Sequence, residues 1–304
     1  MSAERRSLPN AERRSVPRAT PTITDGEFAL LRDLIYRESG IHLGPGKSSL
    51  LVARLGRRLR DLDLDSFGTY YARVLGGDAR ELATMIDRIT TNETQFFRER
   101  LQFEFLESSV FPEWRRQGQA RTRPKRVNVW SAACSTGEEA YSLAMSLLWH
   151  FPRKEGWSVA VLGSDISTRV LHAARNAEWP VERASTIPAR YLNRFMLRGV
   201  RSRMGHIRAS DELRSAVDFE RVNLNDDTYR PRGSYDLILA RNVLIYFADT
   251  GRAEAIRRLA SWVSPGGYLL LGHAEHGGGV IEGLERVRPT IYRASARATA
   301  RRNA

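Results

Sequence analysis

The run Val127-Asn128-Val129-Trp130-Ser131-Ala132-Ala133-Cys134-Ser135-Thr136-Gly137-Glu138-Glu139-Ala140-Tyr141-Ser142 constrains the fold more than any other stretch of the chain. Val127 to Trp130 is a short β-rich run, small residues follow it, and good helix formers begin at Glu138 and continue through Leu148. That order predicts strand, tight turn, helix. Small side chains at such a turn let backbone N–H groups approach a ligand, and the helix N-terminus behind them adds partial positive charge. A pocket at the strand's carboxyl end follows. Many α/β proteins open this way and bind nothing there, so the pattern needs support from elsewhere in the chain.

Three later stretches supply it. Val159-Ala160-Val161-Leu162-Gly163-Ser164-Asp165 is a second apolar strand ending in a carboxylate. An acid in that position accepts hydrogen bonds from ribose hydroxyls in nucleoside-binding α/β folds, which makes Asp165 the ribose candidate. Tyr235 to Asn242 is a further buried strand with polar residues at its end, and Val263 to Gly272 reads as helix stop, turn, strand, with Pro265-Gly266-Gly267 ending a helix over Thr250–Val263. Strands alternating with helices predict an α/β fold, a doubly wound and mostly parallel sheet covered on both faces. The chain has neither a P-loop lysine signature nor G-x-G-x-x-G, which suits a nucleoside lacking phosphates.

The sheet is preceded by helices. Thr24-Asp25-Gly26-Glu27 has capping-box spacing, and Phe28, Leu31, Leu34 and Ile35 then share a face until Gly40. A second helix over Ser48–Leu62 carries Leu51, Leu55, Leu59 and Leu62 on one stripe and Arg54, Arg57 and Arg60 on the far side, with Lys47 nearby. Phe67, Tyr70, Tyr71 and Val74 suggest a third helix, and Leu82, Met85, Ile86 and Ile89 a fourth. Residues 24–89 are therefore expected to form an all-α domain. Its arginine face is either simply solvated or a docking surface for an acidic macromolecule.

Residues 90–100 link this domain to the rest, 101–293. Thr90, Thr91, Asn92 and Thr94 suit helix caps or a polar hinge. Phe96-Phe97 buries and Arg98 follows directly, an awkward position for a guanidinium without a partner; in a cleft it would hold a carboxylate. A helix over 101–118 rests on Phe103, Leu106 and Val110. Between about 185 and 216 the βα alternation breaks, and Phe195–Leu197, Gly199–Met204 and His206–Arg208 read as short strands of an antiparallel β insert. The Asn/Asp run at 223–227 is ordinary turn chemistry and a poor metal site, with no second cluster to match it. Thr290 to Arg293 reads as a last strand.

The net charge of +13 is partly a matter of the ends. Residues 1–23 and 294–304 are Ala, Arg, Ser and Pro-rich without apolar periodicity, and are expected to be disordered basic tails. One Cys and no long apolar run predict no disulfide framework, membrane span or secretory signal, and a cytoplasmic location. Cys134 is expected to be a small packing residue.

Asn92-Glu93-Thr94-Gln95-Phe96-Phe97-Arg98, Trp130 through Glu139, Arg241-Asn242-Val243-Leu244-Ile245-Tyr246-Phe247 and Gly266-Gly267-Tyr268-Leu269-Leu270-Leu271-Gly272-His273 together resemble the signature segments of the chemotaxis receptor methyltransferase family. The resemblance spans roughly Thr24 to Arg293. It implies a Rossmann-like class I fold using S-adenosyl-L-methionine, and transfer of its methyl group to glutamate carboxylates of chemotaxis receptors. It further implies that Asn92, Thr94, Arg98, Glu139, Asp165, Asn223, Leu224, Arg241 and Asn242 meet the cofactor, and that Arg98 and Tyr246 stand beside the methyl acceptor. The helix of Arg54, Arg57 and Arg60 would face the acidic helical cytoplasmic region of a receptor, and some members grip a receptor tether with the insert. Two positions depart from the family pattern: Ala133, commonly Gly, and Ala140, commonly Pro. Two other readings compete. A nucleic-acid methyltransferase would want aromatics interleaved on a basic strand or groove, absent outside the tails. A non-catalytic sensor would have no need of Arg98 and Tyr246.

Overall fold

The computed structural model describes residues 21–229, 233–275 and 280–295. The tails expected at 1–23 and 294–304 lie outside these residues, apart from 21–23 and 294–295, and Ala294 closes a strand.

Four helices come first: α1 (Asp25–Ser39), α2 (Ser48–Asp61), α3 (Phe67–Leu75) and α4 (Ala79–Ile89). The capping box at Thr24 forms in both directions, with Glu27 N–H on the threonine hydroxyl and the Thr24 N–H on the Glu27 carboxylate. α1 stops at Gly40 in the left-handed region, φ +72. A Cβ there would lie 2.8 Å from both Asn225 Oδ1 and the Phe247 ring, so conformation and space both require glycine. Leu51, Leu55 and Leu59 are fully buried with Leu31, Phe67, Tyr70 and Met85, while Leu62 caps α2 half-buried. One charge enters this apolar core. Glu81 takes Arg58 Nε at 3.0 Å and the Tyr70 hydroxyl at 2.8 Å. Burial pushes its carboxyl up, but the hydrogen bonds from Arg58 and Tyr70 outweigh that and hold it below the ordinary value.

The helix expected over 101–118 is α5 (Arg100–Phe105), one π-helical turn (Leu106–Val110) and α6 (Phe111–Gln119). There follow β1 (Arg126–Ala132), α7 (Glu138–His150), β2 (Ser158–Asp165) and α8 (Thr168–Asn176), then β3 (Glu178–Pro180), α9 (Ala189–Phe195), β4 (Met196–Arg198), β5 (His206–Ala209), the single turn α10 (Asp211–Arg214) and β6 (Val217–Arg221). The chain closes with β7 (Tyr235–Ala240), α11 (Asp249–Ser261), β8 (Val263–Leu271), β9 (Leu284–Arg288) and β10 (Ile291–Ala294).

The main sheet has the order β6-β2-β1-β7-β8-β10-β9, with β10 antiparallel to both β8 and β9 and the other pairings parallel. Alternate residues of β1 feed two apolar layers: Val127 and Val129 pack with Leu143 and Leu147 of α7, and Trp130 and Ala132 with Ile256 and Leu259 of α11. The sheet is therefore covered on both faces, as its unbroken apolar strands predict. Strand order reverses between β1 and β7, which opens a crevice at their carboxyl ends.

Three local expectations change. The insert is a three-stranded antiparallel sheet, β3-β5-β4, whose first strand starts at Glu178, ahead of the expected boundary near 185. Gly199–Met204 is not a strand: Gly199 N–H bonds His206 O at 2.8 Å, closing the hairpin, and Arg201–Arg203 forms a 3-10 turn. Pro265-Gly266-Gly267 does not stop a helix, because α11 ends at Ser261 and these residues bend β8 where its register with β7 shifts. Strand β9 escaped the sequence reading because it is an edge strand of mostly exposed residues, Leu284-Glu285-Arg286-Val287-Arg288, with no apolar alternation.

Candidate active site

A cavity of about 360 Å³ opens at the carboxyl ends of β1, β2 and β7, roofed by the α1–α2 loop and the end of α4. All ten residues singled out from the sequence line it: Asn92, Thr94 and Arg98 from the linker, Glu139 from α7, Asp165 from β2, Asn223 and Leu224 after β6, and Arg241, Asn242 and Tyr246 after β7. The helical domain also contributes Ser39, Ile41, His42, Leu43, Lys47 and Leu50. Nothing in the sequence marked that loop beyond the helix stop at Gly40. It is fastened by an isolated antiparallel bridge between Ile41 and Phe247 and by His42 N–H on Tyr246 O at 2.7 Å.

The turn after β1 is tight. Ala133 and Ser135 take left-handed φ values of 68° and 51°, and Gly137 one of 96°. Asp165 holds this turn: one carboxylate oxygen accepts Ser135 N–H and the other Ser167 N–H, each at 2.9 Å. Burial pushes the Asp165 carboxyl up, against the pull of those two amides. Each oxygen keeps a lone pair for a further donor. Cys134 is buried, and burial drives its thiol well above the ordinary value, so it is the inert packing residue expected. Glu138 is buried as well, its carboxyl raised by burial and partly compensated by the Thr136 hydroxyl at 2.6 Å.

Glu139 and Arg241 make a buried pair across the crevice. Glu139 accepts the Ser131 hydroxyl at 2.6 Å and Arg241 Nε at 2.7 Å. Arg241 also donates from Nη1 to Arg98 O at 2.7 Å and Gln102 Oε1 at 3.3 Å, so it braces the linker as well as lining the cavity. Its Nη2 is buried and has no hydrogen-bond partner among the described residues. Arg98 itself is half-buried and donates to Glu93 O at 3.0 Å. Asn92 O accepts the Ser135 hydroxyl at 2.8 Å, and Phe97 N–H donates to Ser142 Oγ at 2.9 Å.

Two groups hold the site from behind. The Asn223 and Asn225 side-chain amides donate to Glu38 O and Arg37 O, at 3.0 and 3.1 Å, capping the last carbonyls of α1 and docking it on the sheet. The Asn/Asp run thus forms a turn that caps a helix, and no group of three or more His, Cys, Asp or Glu suited to a metal occurs among the described residues. Glu275, which the sequence reading passed over, is fully buried. It accepts N–H groups of Asn242, Val243 and Gly272 at 2.7, 2.7 and 2.8 Å and those of Leu244 and Ile245 beside them. It pins the turn that leads to Tyr246. A Cβ on Gly272 would stand 2.6 Å from that carboxylate, and the glycine leaves it room.

A profile described as the CheR methyltransferase SAM binding domain matches residues 92–288, and one described as the CheR methyltransferase all-alpha domain matches residues 26–90. The chain belongs to the CheR methyltransferase family. It is 38% identical over 269 residues to chemotaxis protein methyltransferase 2 of Pseudomonas aeruginosa, covering 88% of this chain and 93% of that one. It is 37% identical over 257 residues to the chemotaxis protein methyltransferase of Escherichia coli, covering 84% and 85%. This CheR-family protein is a methyltransferase that uses S-adenosyl-L-methionine, on a Rossmann-like sheet with an all-α N-terminal portion and a small antiparallel insert. The cavity fits that cofactor: its volume is within the roughly 300–1,000 Å³ of small-molecule sites, and Asp165 offers it a buried carboxylate for hydroxyls. No helix among the described residues is long and apolar enough to cross a membrane.

Proposed function

We propose that the protein esterifies glutamate side chains of chemotaxis receptors in the cytoplasm, with Asp165 holding the cofactor's ribose, Asn223 and Leu224 flanking its adenine, and Arg98 and Tyr246 presenting the acceptor. Asn92, Thr94, Glu139, Arg241 and Asn242 would complete the cofactor's surroundings. Bound there, S-adenosyl-L-methionine supplies an electrophilic methyl on a cationic sulfur. The glutamate carboxylate is already ionised at neutral pH, so its oxygen forms the new C–O bond as the methyl leaves sulfur, and no side chain has to remove a proton. Catalysis then comes from alignment and from bringing two opposite charges out of water. Arg98 orients the carboxylate by charge and Tyr246 by its hydroxyl. The guanidinium's bond to Glu93 O occupies one of its donors and leaves the others for the acceptor.

One observation carries this reading: Arg98 from the linker and Tyr246 from the turn after β7 reach the same cavity as Asp165. Arg57 and Arg60, exposed on α2, and Arg54, half-buried with Nη2 at 3.4 Å from the Thr91 hydroxyl, would guide an acidic receptor helix toward it. Incubation of methyl-labelled cofactor with a receptor cytoplasmic domain, and separately with RNA, tests the assignment. Alkali-labile label on protein is expected; alkali-stable label on RNA, or none on either, would refute it. Arg98→Ala and Tyr246→Phe should each slow single-turnover transfer at least tenfold while calorimetric cofactor affinity falls less. Wild-type turnover in both would remove the residue roles.

A further inference from the structure

No residue of the antiparallel insert lines the cavity, yet its side chains close on the linker immediately before Arg98. Arg183 Nη1 donates to Thr94 O at 2.6 Å. The Trp179 ring meets Phe96 edge-on at 5.0 Å between centroids, and the Tyr191 ring lies parallel to Phe97 at 5.2 Å. Tyr191 is itself fixed, its hydroxyl 2.6 Å from Glu107 Oε1 on the π-helical turn.

The linker needs such support. Residues 91–99 are neither helix nor strand, and Phe97 and Glu99, on either side of Arg98, hold left-handed φ values of 52° and 58°. Side chains with a Cβ stay there only where their surroundings over-determine the backbone. From the sheet side come the Ser142 hydroxyl on Phe97 N–H and Arg241 on Arg98 O. From the other side comes the insert alone among the contacts just described.

We propose that the insert is a positioning element of the active site: Arg183, with Trp179 and Tyr191, sets the backbone of Thr94–Phe97 and so the place of the Arg98 guanidinium. The inference rests on Arg98 orienting the acceptor carboxylate. It means that whatever displaces the insert also changes the rate of transfer, since small misplacements of an aligning group are costly.

Arg183 is exposed, so Arg183→Ala removes its bond to Thr94 O, and its charge near Glu138, without opening a core. With the full-length enzyme and a receptor cytoplasmic domain, kcat should fall roughly tenfold, the scale of one lost hydrogen bond expressed in the transition state, while KM for the cofactor stays within about twofold. Arg183→Lys, which keeps a donor, should recover part of the rate. In the Arg98→Ala background, Arg183→Ala should cost nothing further. Unchanged kcat in Arg183→Ala, or effects that multiply in the double variant, would overturn the inference while leaving the site reading intact. Wild-type rate in Arg98→Ala alone would overturn both.

Discussion

Ala133 and Glu275 show how single positions support the site. Ala133 stands at φ +68 on the cavity wall. A left-handed alanine costs about 1–2 kcal/mol, and glycine returns about 0.4–1 kcal/mol of that through the freer unfolded chain. Ala133→Gly is therefore expected to raise stability by roughly 0.5–1 kcal/mol, read as a higher denaturation midpoint; a lower midpoint would mean that the methyl packs usefully. Glu275 is the opposite case, a buried carboxylate that accepts the backbone amides of Asn242, Val243, Leu244, Ile245 and Gly272. Glu275→Ala should cost at least about 3 kcal/mol, since leaving buried donors unpaired carries a penalty of about 1–3 kcal/mol each, not fully additive. Denaturant unfolding measures it, and a loss below 1 kcal/mol would show that water replaces the carboxylate. Asp165 had a local signature, a carboxylate ending an apolar strand, whereas most other residues on the cavity wall were pointed to only by the resemblance to the family. The sequence was silent on Glu275, whose partners lie some thirty positions earlier at 242–245, and on His42, which reaches the cavity only through the docking of one domain on the other; Lys47 it placed beside the arginine face, not in the cavity.

At the scale of elements, the legible parts were those with a strong period. α1 obeyed its capping box and α2 its leucine stripe, because each buries one face in a way that spacing alone encodes. The exposed edge strand β9, the early strand β3 and the 3-10 turn of the insert depend on tertiary pairing and were missed or misread. The helical domain also contains a polar device that spacing does not reveal, the Arg58–Glu81–Tyr70 group. Its consequence is acid sensitivity. Because the folded Glu81 carboxyl lies below its ordinary 4.5, the unfolded chain binds the proton more readily. The stabilisation is present above 4.5 and is lost as pH falls through the lower, folded value. Helical melts followed downward from neutral pH should show this loss. Glu81→Gln should remove that component and cost about 3 kcal/mol at neutral pH, as breaking a buried pair does. An unchanged acid profile in the variant would place the sensitivity elsewhere.

Across the whole molecule, two domains become one site through a few fastenings: Asn223 and Asn225 on the end of α1, the Ile41–Phe247 bridge, and the linker braced by Ser142, Arg241 and the insert. The parallel sheet supplies the crevice at its switch point, and the helical domain closes it. The account therefore predicts that the donor lies between the domains and that its methyl faces the mouth where a receptor side chain can enter. A crystal structure with S-adenosylhomocysteine bound tests this most directly. The account predicts the nucleoside in the cavity, a ribose hydroxyl on Asp165, and the sulfur turned toward Arg98 and Tyr246. A ligand seated elsewhere, or one whose sulfur is sealed away from those two side chains, would contradict it.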